Sequence, residues 1–128
     1  MEITPLSASD RQIIEAYGPT GFRISGSDFA GAAIVFPDMA VAWPVDSIAA
    51  ITLESLAPVL GRVGTERAVE ILLLGMGRQM RMLPPALRAE LRGLGIAAET
   101  MDTGAACRTY DVLLAEGRRV AAALLPVT

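Results

Sequence analysis

From residue 52 onward the apolar positions change period several times, and the alternation predicts helices and strands in turn. Leu53, Leu56, Ala57 and Leu60 sit at helical spacing, with Thr52 as N-cap and Gly61 or Gly64 as stop. Residues 69–74, Val-Glu-Ile-Leu-Leu-Leu, form a nearly continuous apolar run ended by Gly75. Such a strand is covered on both faces, as in parallel or mixed sheets flanked by helices. Pro84-Pro85 fixes a helix start, Leu87, Leu91 and Leu94 make its apolar stripe, and Gly95 closes it. Residues 96–101 are the next strand. Asp102 or Thr103 caps a helix reaching about residue 116, with Ala106, Tyr110, Leu113 and Leu114 turned inward. Gly117 ends that helix, and residues 119–125 return as a last apolar strand. Residues 69–125 therefore read as a β-α-β-α-β block with right-handed crossovers.

The first 46 residues follow a different style. Pro5, Gly18, Pro19, Gly21, Gly26, Gly31, Pro37 and Pro44 punctuate short apolar runs. Residues 22–24 alternate as a half-exposed strand should, and residues 32–36 form a short buried run ended by Pro37. The loop 26–28 is expected to join these two as a hairpin. Residues 39–43 are expected as an edge strand, because Pro44 cannot donate to a central ladder. This portion reads as antiparallel β. The chain as a whole, residues 1–128, is expected to be a single α/β domain, with no internal repeat or low-complexity segment.

Composition narrows the function classes. Hydrophobic residues make up 52% and charged residues 20%, too apolar for a disordered chain. No apolar run approaches the ~18 residues that span a bilayer. Glu2 and Asp10 stand where a signal peptide would carry basic charge, so a soluble, cytoplasmic protein is expected. The formal charge is −3, and all 11 basic residues are arginine, a bias typical of a GC-rich bacterial genome. That balance argues against nucleic acid as partner, since phosphate neutralisation needs a basic excess. The absence of histidine removes Ser-His-Asp and Cys-His pairs and histidine-ligated metals. With Cys107 as the single cysteine, neither an intrachain disulfide nor a cysteine-rich zinc site can form. An all-carboxylate site for a hard cation stays open, but no run of acidic ligands at loop spacing supports it, and no metal and no cofactor is expected.

In an α/β sheet of this kind, ligands sit beyond the carboxyl ends of strands. Two loops share that edge here, Gly75-Met76-Gly77-Arg78 and Met101-Asp102-Thr103-Gly104. Backbone N–H groups at the second loop's helix start would receive an anion, with Arg78 beside them, although Asp102 opposes this. The plainer account is that the glycines turn the chain and Asp102 or Thr103 only caps. Gly-x-Gly is not the full dinucleotide fingerprint, and no Gly-Lys-Ser/Thr phosphate loop is present. Cys107 lies one turn past Thr103, where a helix N-terminus and Arg108 favour a reactive thiolate. Free cysteine is nonetheless among the most buried residue types, and packing is the favoured reading. An Arg108–Asp111 pair on the helix surface is expected. Arg78, Arg81, Arg88 and Arg92 concentrate charge in one stretch, with a solvated helix face as the simpler account. Met76, Met80, Met82 and Leu83 serve either a protein-binding surface or the cover of the sheet end.

The string Met101-Asp102-Thr103-Gly104-Ala105-Ala106-Cys107-Arg108-Thr109-Tyr110 resembles domain-of-unknown-function family 498. The motif Tyr17-Gly18-x-x-Gly21-Phe22, the surroundings of Trp43 and the helix start Pro84-x-x-Leu87 extend the resemblance over nearly the whole chain. This family includes the mitochondrial complex I assembly factor 3 proteins and the adipogenesis-associated proteins with the same domain. The resemblance implies a three-layer domain with a central mixed sheet and no established enzymatic activity. It also implies protein partners: respiratory complex subunits or other assembly factors, with eukaryotic relatives mitochondrial. The family pattern tends to have Asn where Asp111 stands, and Gly-Thr-Gly where Gly75-Met76-Gly77 stands. The resemblance thus implies a non-catalytic interaction protein assisting assembly of respiratory complex I, and the absence of a nucleophile–base pair agrees with it. The alternative is a small-molecule-binding or redox enzyme using Gly75, Met76, Gly77, Arg78, Met101, Asp102, Thr103, Cys107 and Arg108.

Overall fold

The structure, a computed structural model, describes residues 11–127; Glu2, Pro5 and Asp10 lie outside them. Three antiparallel strands come first, β1 (Ile14–Gly18), β2 (Gly21–Ile24) and β3 (Ser27–Ala30), paired in that order. The chain then enters a second sheet through β4 (Ala33–Val35) and the edge strand β5 (Ala40–Ala42). A 3-10 turn at Ile48–Ala50 and another at Glu54–Leu56 lead into the short helix α1 (Ala57–Leu60). The remaining elements are β6 (Ile71–Gly75), α2 (Pro85–Gly93), β7 (Ala97–Met101), α3 (Thr103–Ala115) and β8 (Val120–Leu124). The second sheet has five strands in the order β5-β4-β8-β6-β7. β6 runs parallel to both β7 and β8, while β4 is antiparallel to β8 and β5, so the sheet is mixed.

Alternation along β6 explains the layering. Successive side chains of a strand point to opposite faces. Leu72 and Leu74 therefore join Leu87 and Leu91 of α2, Trp43, Leu56 and Val59 in one core. Leu73 joins Ala106, Cys107, Tyr110 and Leu114 of α3 in the other, together with Ile14, Phe22 and Ile24 of the small sheet. The central sheet thus carries α2 and the 52–60 turns on one face, and α3 backed by β1–β3 on the other. Trp43 ties β5 to the first layer by donating its indole N–H to the Ser55 carbonyl at 2.8 Å.

The β-α-β-α-β block forms as its periodicity predicts, and the N-cap of α3 is Asp102, whose carboxylate accepts the Ala105 N–H at 2.9 Å. The helix expected from residue 52 is broken into a 3-10 turn and α1, with Thr52 accepting the Ser55 N–H at 3.1 Å and Gly61 as C-cap. Leu94 departs from the expected stripe. α2 stops at Gly93, and Leu94 is 42% exposed.

The hairpin partner of β2 is also different from expectation. A two-residue turn at Ser25-Gly26 sends the chain straight into β3, with Phe22 opposite Phe29. Residues 33–35 instead pair with β5 and β8 in the other sheet. All three are fully buried, and only a position covered on both faces satisfies that burial.

Candidate functional site

At the carboxyl ends of β6, β7 and β8 the two loops singled out above do meet. Thr103 organises the junction. Its N–H donates to the Gly77 carbonyl and its Oγ1 accepts the Gly77 N–H, both at 2.8 Å. The same hydroxyl donates to the Leu125 carbonyl at 2.6 Å, so one buried side chain fastens the loop after β6 to the end of β8. Met76 N–H donates to the Met101 carbonyl and Leu125 N–H to the Gly75 carbonyl, each at 2.9 Å. Close packing seals what the hydrogen bonds align. A Cβ on Gly75 would lie 2.9 Å from Leu124 Cδ2 and 3.0 Å from the Thr103 Cα.

This leaves little for a small ligand at the start of α3. The Ala105 N–H is taken by Asp102, the Thr103 N–H by Gly77, and the Tyr17 phenol packs directly over Gly104. Gly75, Met76, Gly77, Thr103 and Cys107 are buried, Met101 and Asp102 are half-buried, and Arg78 and Arg108 are exposed. The methionines divide likewise. Met76 is buried, whereas Met80 and Met82 are 49% and 64% exposed beside Thr100, whose hydroxyl points at the Met80 sulfur at 3.6 Å.

Cys107 faces the core between α3 and β1. Burial, reinforced by the negative charge of Asp111 and only partly offset by Arg108, pushes its thiol up to about 12. It is protonated at neutral pH and a poor nucleophile. The expected Arg108–Asp111 surface pair is replaced by a different contact. Asp111 turns toward β1 and accepts the Ile14 N–H at 3.1 Å. Burial raises its carboxyl above the usual range, and that backbone hydrogen bond only partly counteracts the rise. Burial likewise raises the Tyr110 phenol, whose hydroxyl donates to the Gln12 carbonyl at 3.2 Å.

The opposite end of the sheet, at the amino ends of β6 and β8, is concave. A cavity of about 250 Å³ there is lined by Arg11, Arg62, Arg67, Arg118 and Arg119, with Asp38 and Glu66 as the acidic members. Asp38 binds two of the arginines at once, Oδ1 to Arg62 at 2.8 Å and Oδ2 to Arg67 at 2.9 Å. Burial pushes the Asp38 carboxyl up, but the Arg62 hydrogen bond and the charges of Arg62 and Arg67 outweigh it and hold it below the usual range. Arg62 also lies 3.7 Å above the Phe36 ring, a cation–π contact that fixes its guanidinium. Arg11 donates to the Leu114 carbonyl. Sequence reasoning missed this cluster because its members are scattered from residue 11 to residue 119 with no shared motif. The adjacent pair Arg118-Arg119 was its one local trace.

Comparison with known proteins now places the chain. The model of the family described as "Protein of unknown function (DUF498/DUF598)" matches residues 14–125. The chain belongs to this family. Among DUF498 relatives, an uncharacterized protein of Rhodobacter capsulatus is 44% identical over 89% of this chain and 84% of its own length. NADH dehydrogenase [ubiquinone] 1 alpha subcomplex assembly factor 3 of Danio rerio is 36% identical over 98% of this chain and 71% of its own. The DUF498 fold matches the solution structure of a Mth938-like domain from Bordetella pertussis, with a TM-score of 0.80 and 33% identity. That match covers 98% of this chain and 92% of the other.

Proposed function

We propose that this chain is a non-catalytic interaction protein that assists the assembly of NADH:quinone oxidoreductase, respiratory complex I. One observation carries the reading: the similarity to an assembly factor of that name extends over 98% of the chain, so it is not confined to a shared motif. The chemistry of the carboxyl end is consistent with it. Cys107 is buried and protonated, and the chain has no histidine to act as its base.

The partner-facing surface, in this reading, is the solvent side of that sealed end. Arg78 and Arg108 supply charge, Met101, Met80 and Met82 supply adaptable apolar contact, and the edge strand β7 runs beneath them. Gly75, Met76, Gly77, Thr103 and Cys107 act as the buried scaffold beneath this surface, and Asp102 as the cap of the helix that carries it. Partners are complex I subunits or other assembly factors, met in the cytoplasm of a bacterial cell. Among the described residues no helix is long and apolar enough to cross a membrane.

Deleting the gene in its native cell, then measuring complex I abundance and NADH:quinone activity under respiratory growth, tests the proposal. Both should fall and be restored by the wild-type chain. Restoration should weaken for a Met80→Ser, Met82→Ser, Arg108→Glu variant, whose changes are all on exposed side chains. Unchanged complex I in the deletion strain would sink the idea.

A further inference from the structure

The cavity at the amino end of the sheet is not used by the reading above, and its charge calls for a physical account. Five guanidiniums against two carboxylates leave a local balance of +3. The chain as a whole carries −3, so these cations are gathered against the general trend of the molecule. The carboxyl end of α3 approaches the same place and contributes only about half a negative charge. Like charges so close repel, and a fold gains nothing by collecting them unless something anionic neutralises them.

The cluster is also held in position rather than loosely displayed. Arg62 is pinned by Asp38 and by the Phe36 ring, with its side chain only 14% exposed. Gly117 adopts φ +76, the left-handed conformation that ends α3, and the Arg118 N–H closes that cap on the Leu113 carbonyl at 3.0 Å. The Arg119 carbonyl then accepts from Glu70 at 2.9 Å and Ile71 at 3.1 Å, locking this backbone to the start of β6. Arg118 and Arg119 have no ion-pair partner among the described residues, so their guanidiniums are available above a rigid base. Arginine's planar fork suits phosphate and carboxylate oxygens, and bidentate pairing favours it over a point charge.

We infer that this cavity is a binding site for a small oligophosphate, with Arg118, Arg119 and the exposed Arg67 closing on phosphate oxygens over a floor made by Arg62 and Arg11. A pyrophosphate-sized group matches the local charge and is accommodated by a volume of about 250 Å³, below the range of ordinary drug-sized ligand pockets. Asp38 keeps the Arg62 and Arg67 guanidiniums aligned and so shapes the site rather than meeting the ligand.

Titration calorimetry of the whole chain with pyrophosphate, inorganic phosphate and citrate tests the assignment. Pyrophosphate should bind, more tightly than phosphate or citrate, and lose affinity steeply with added salt. The exposed double substitution R118Q/R119Q should weaken it about tenfold or more, a loss of roughly 1.4 kcal/mol. The charge-matched R88Q/R92Q on α2 should leave it unchanged. Absence of pyrophosphate binding at about 1 mM would overturn the inference. So would equal affinity for citrate, or equal weakening by the two double variants. Because the readout is direct binding, it is independent of any effect of the chain on complex I.

Discussion

The two ends of the central sheet are built from the same strands yet solve opposite problems. At the carboxyl end, where α/β sheets ordinarily receive ligands, Thr103, Gly75 and Gly77 close the notch with the chain's own hydrogen bonds and close packing. At the amino end, Arg62, Arg67, Arg118 and Arg119 surround open space. The first end uses its polar groups to fasten its own loops and leaves Arg78, Met80, Met82 and Arg108 exposed outside them. The second ties Arg62 and Arg67 to Asp38 but leaves Arg118 and Arg119 with no ion-pair partner among the described residues. In this chain the loops at the carboxyl end satisfy one another, so strand direction alone does not leave an open ligand notch there.

Breaking the seal should have the largest effect. Thr103→Val keeps the shape but removes the hydroxyl, leaving the buried Gly77 N–H and Leu125 carbonyl short of a partner. A loss of about 3 kcal/mol is expected in urea denaturation, given the cost of stranding two buried groups. A loss below about 0.5 kcal/mol would mean that water or movement satisfies them and that the end is not sealed.

The acidic member of the amino end gives a pH signature. Asp38 has a lowered carboxyl pKa, so its stabilising contribution is full above the ordinary value of 3.8 and is lost as pH falls through the folded value. Asp38→Asn should therefore be less stable than the wild type at neutral pH, with the difference closing below pH 3.8. A gap that persists unchanged to lower pH would contradict the ion-pair account.

Asp111, between the two ends, should behave oppositely. Its raised pKa means that wild-type stability declines as pH rises from 3.8 through the folded value. Asp111→Asn retains an oxygen for the Ile14 N–H while removing the half-buried charge. It should flatten that pH dependence and bring the Cys107 thiol down from about 12, read as faster alkylation at high pH. An unchanged alkylation profile would show that desolvation alone sets the thiol.

The smallest effect sharpens the comparison most. R118Q/R119Q should change stability by no more than about 0.5 kcal/mol, because these exposed guanidiniums have no ion-pair partner among the described residues. A large destabilisation would make them structural and remove the contrast between the ends.

Local signals made the C-terminal block legible. The Leu72-Leu73-Leu74 run, the Pro84-Pro85 start, the Asp102 cap and Gly117 each act within a few residues, so a linear reading captures them. The N-terminal pairings were not legible, because β3 (Ser-Asp-Phe-Ala) buries almost nothing and its partner is chosen by a two-residue turn. β4 shows the same problem from the other side, since its neighbour β8 lies almost 90 residues away. The meeting of the Gly75-Arg78 and Met101-Gly104 loops followed from strand order, but whether they would be sealed depended on one hydroxyl. The arginine cavity required tertiary structure to bring Arg11 near Arg119.

The contrast between the ends is tested most directly by mapping where pyrophosphate perturbs the backbone amide spectrum of the whole chain. The account predicts the largest shifts at Arg62, Arg67, Arg118, Arg119 and Val120, with Gly77, Thr103 and Gly104 unmoved. Largest shifts at Gly77 to Gly104, or none anywhere, would contradict it.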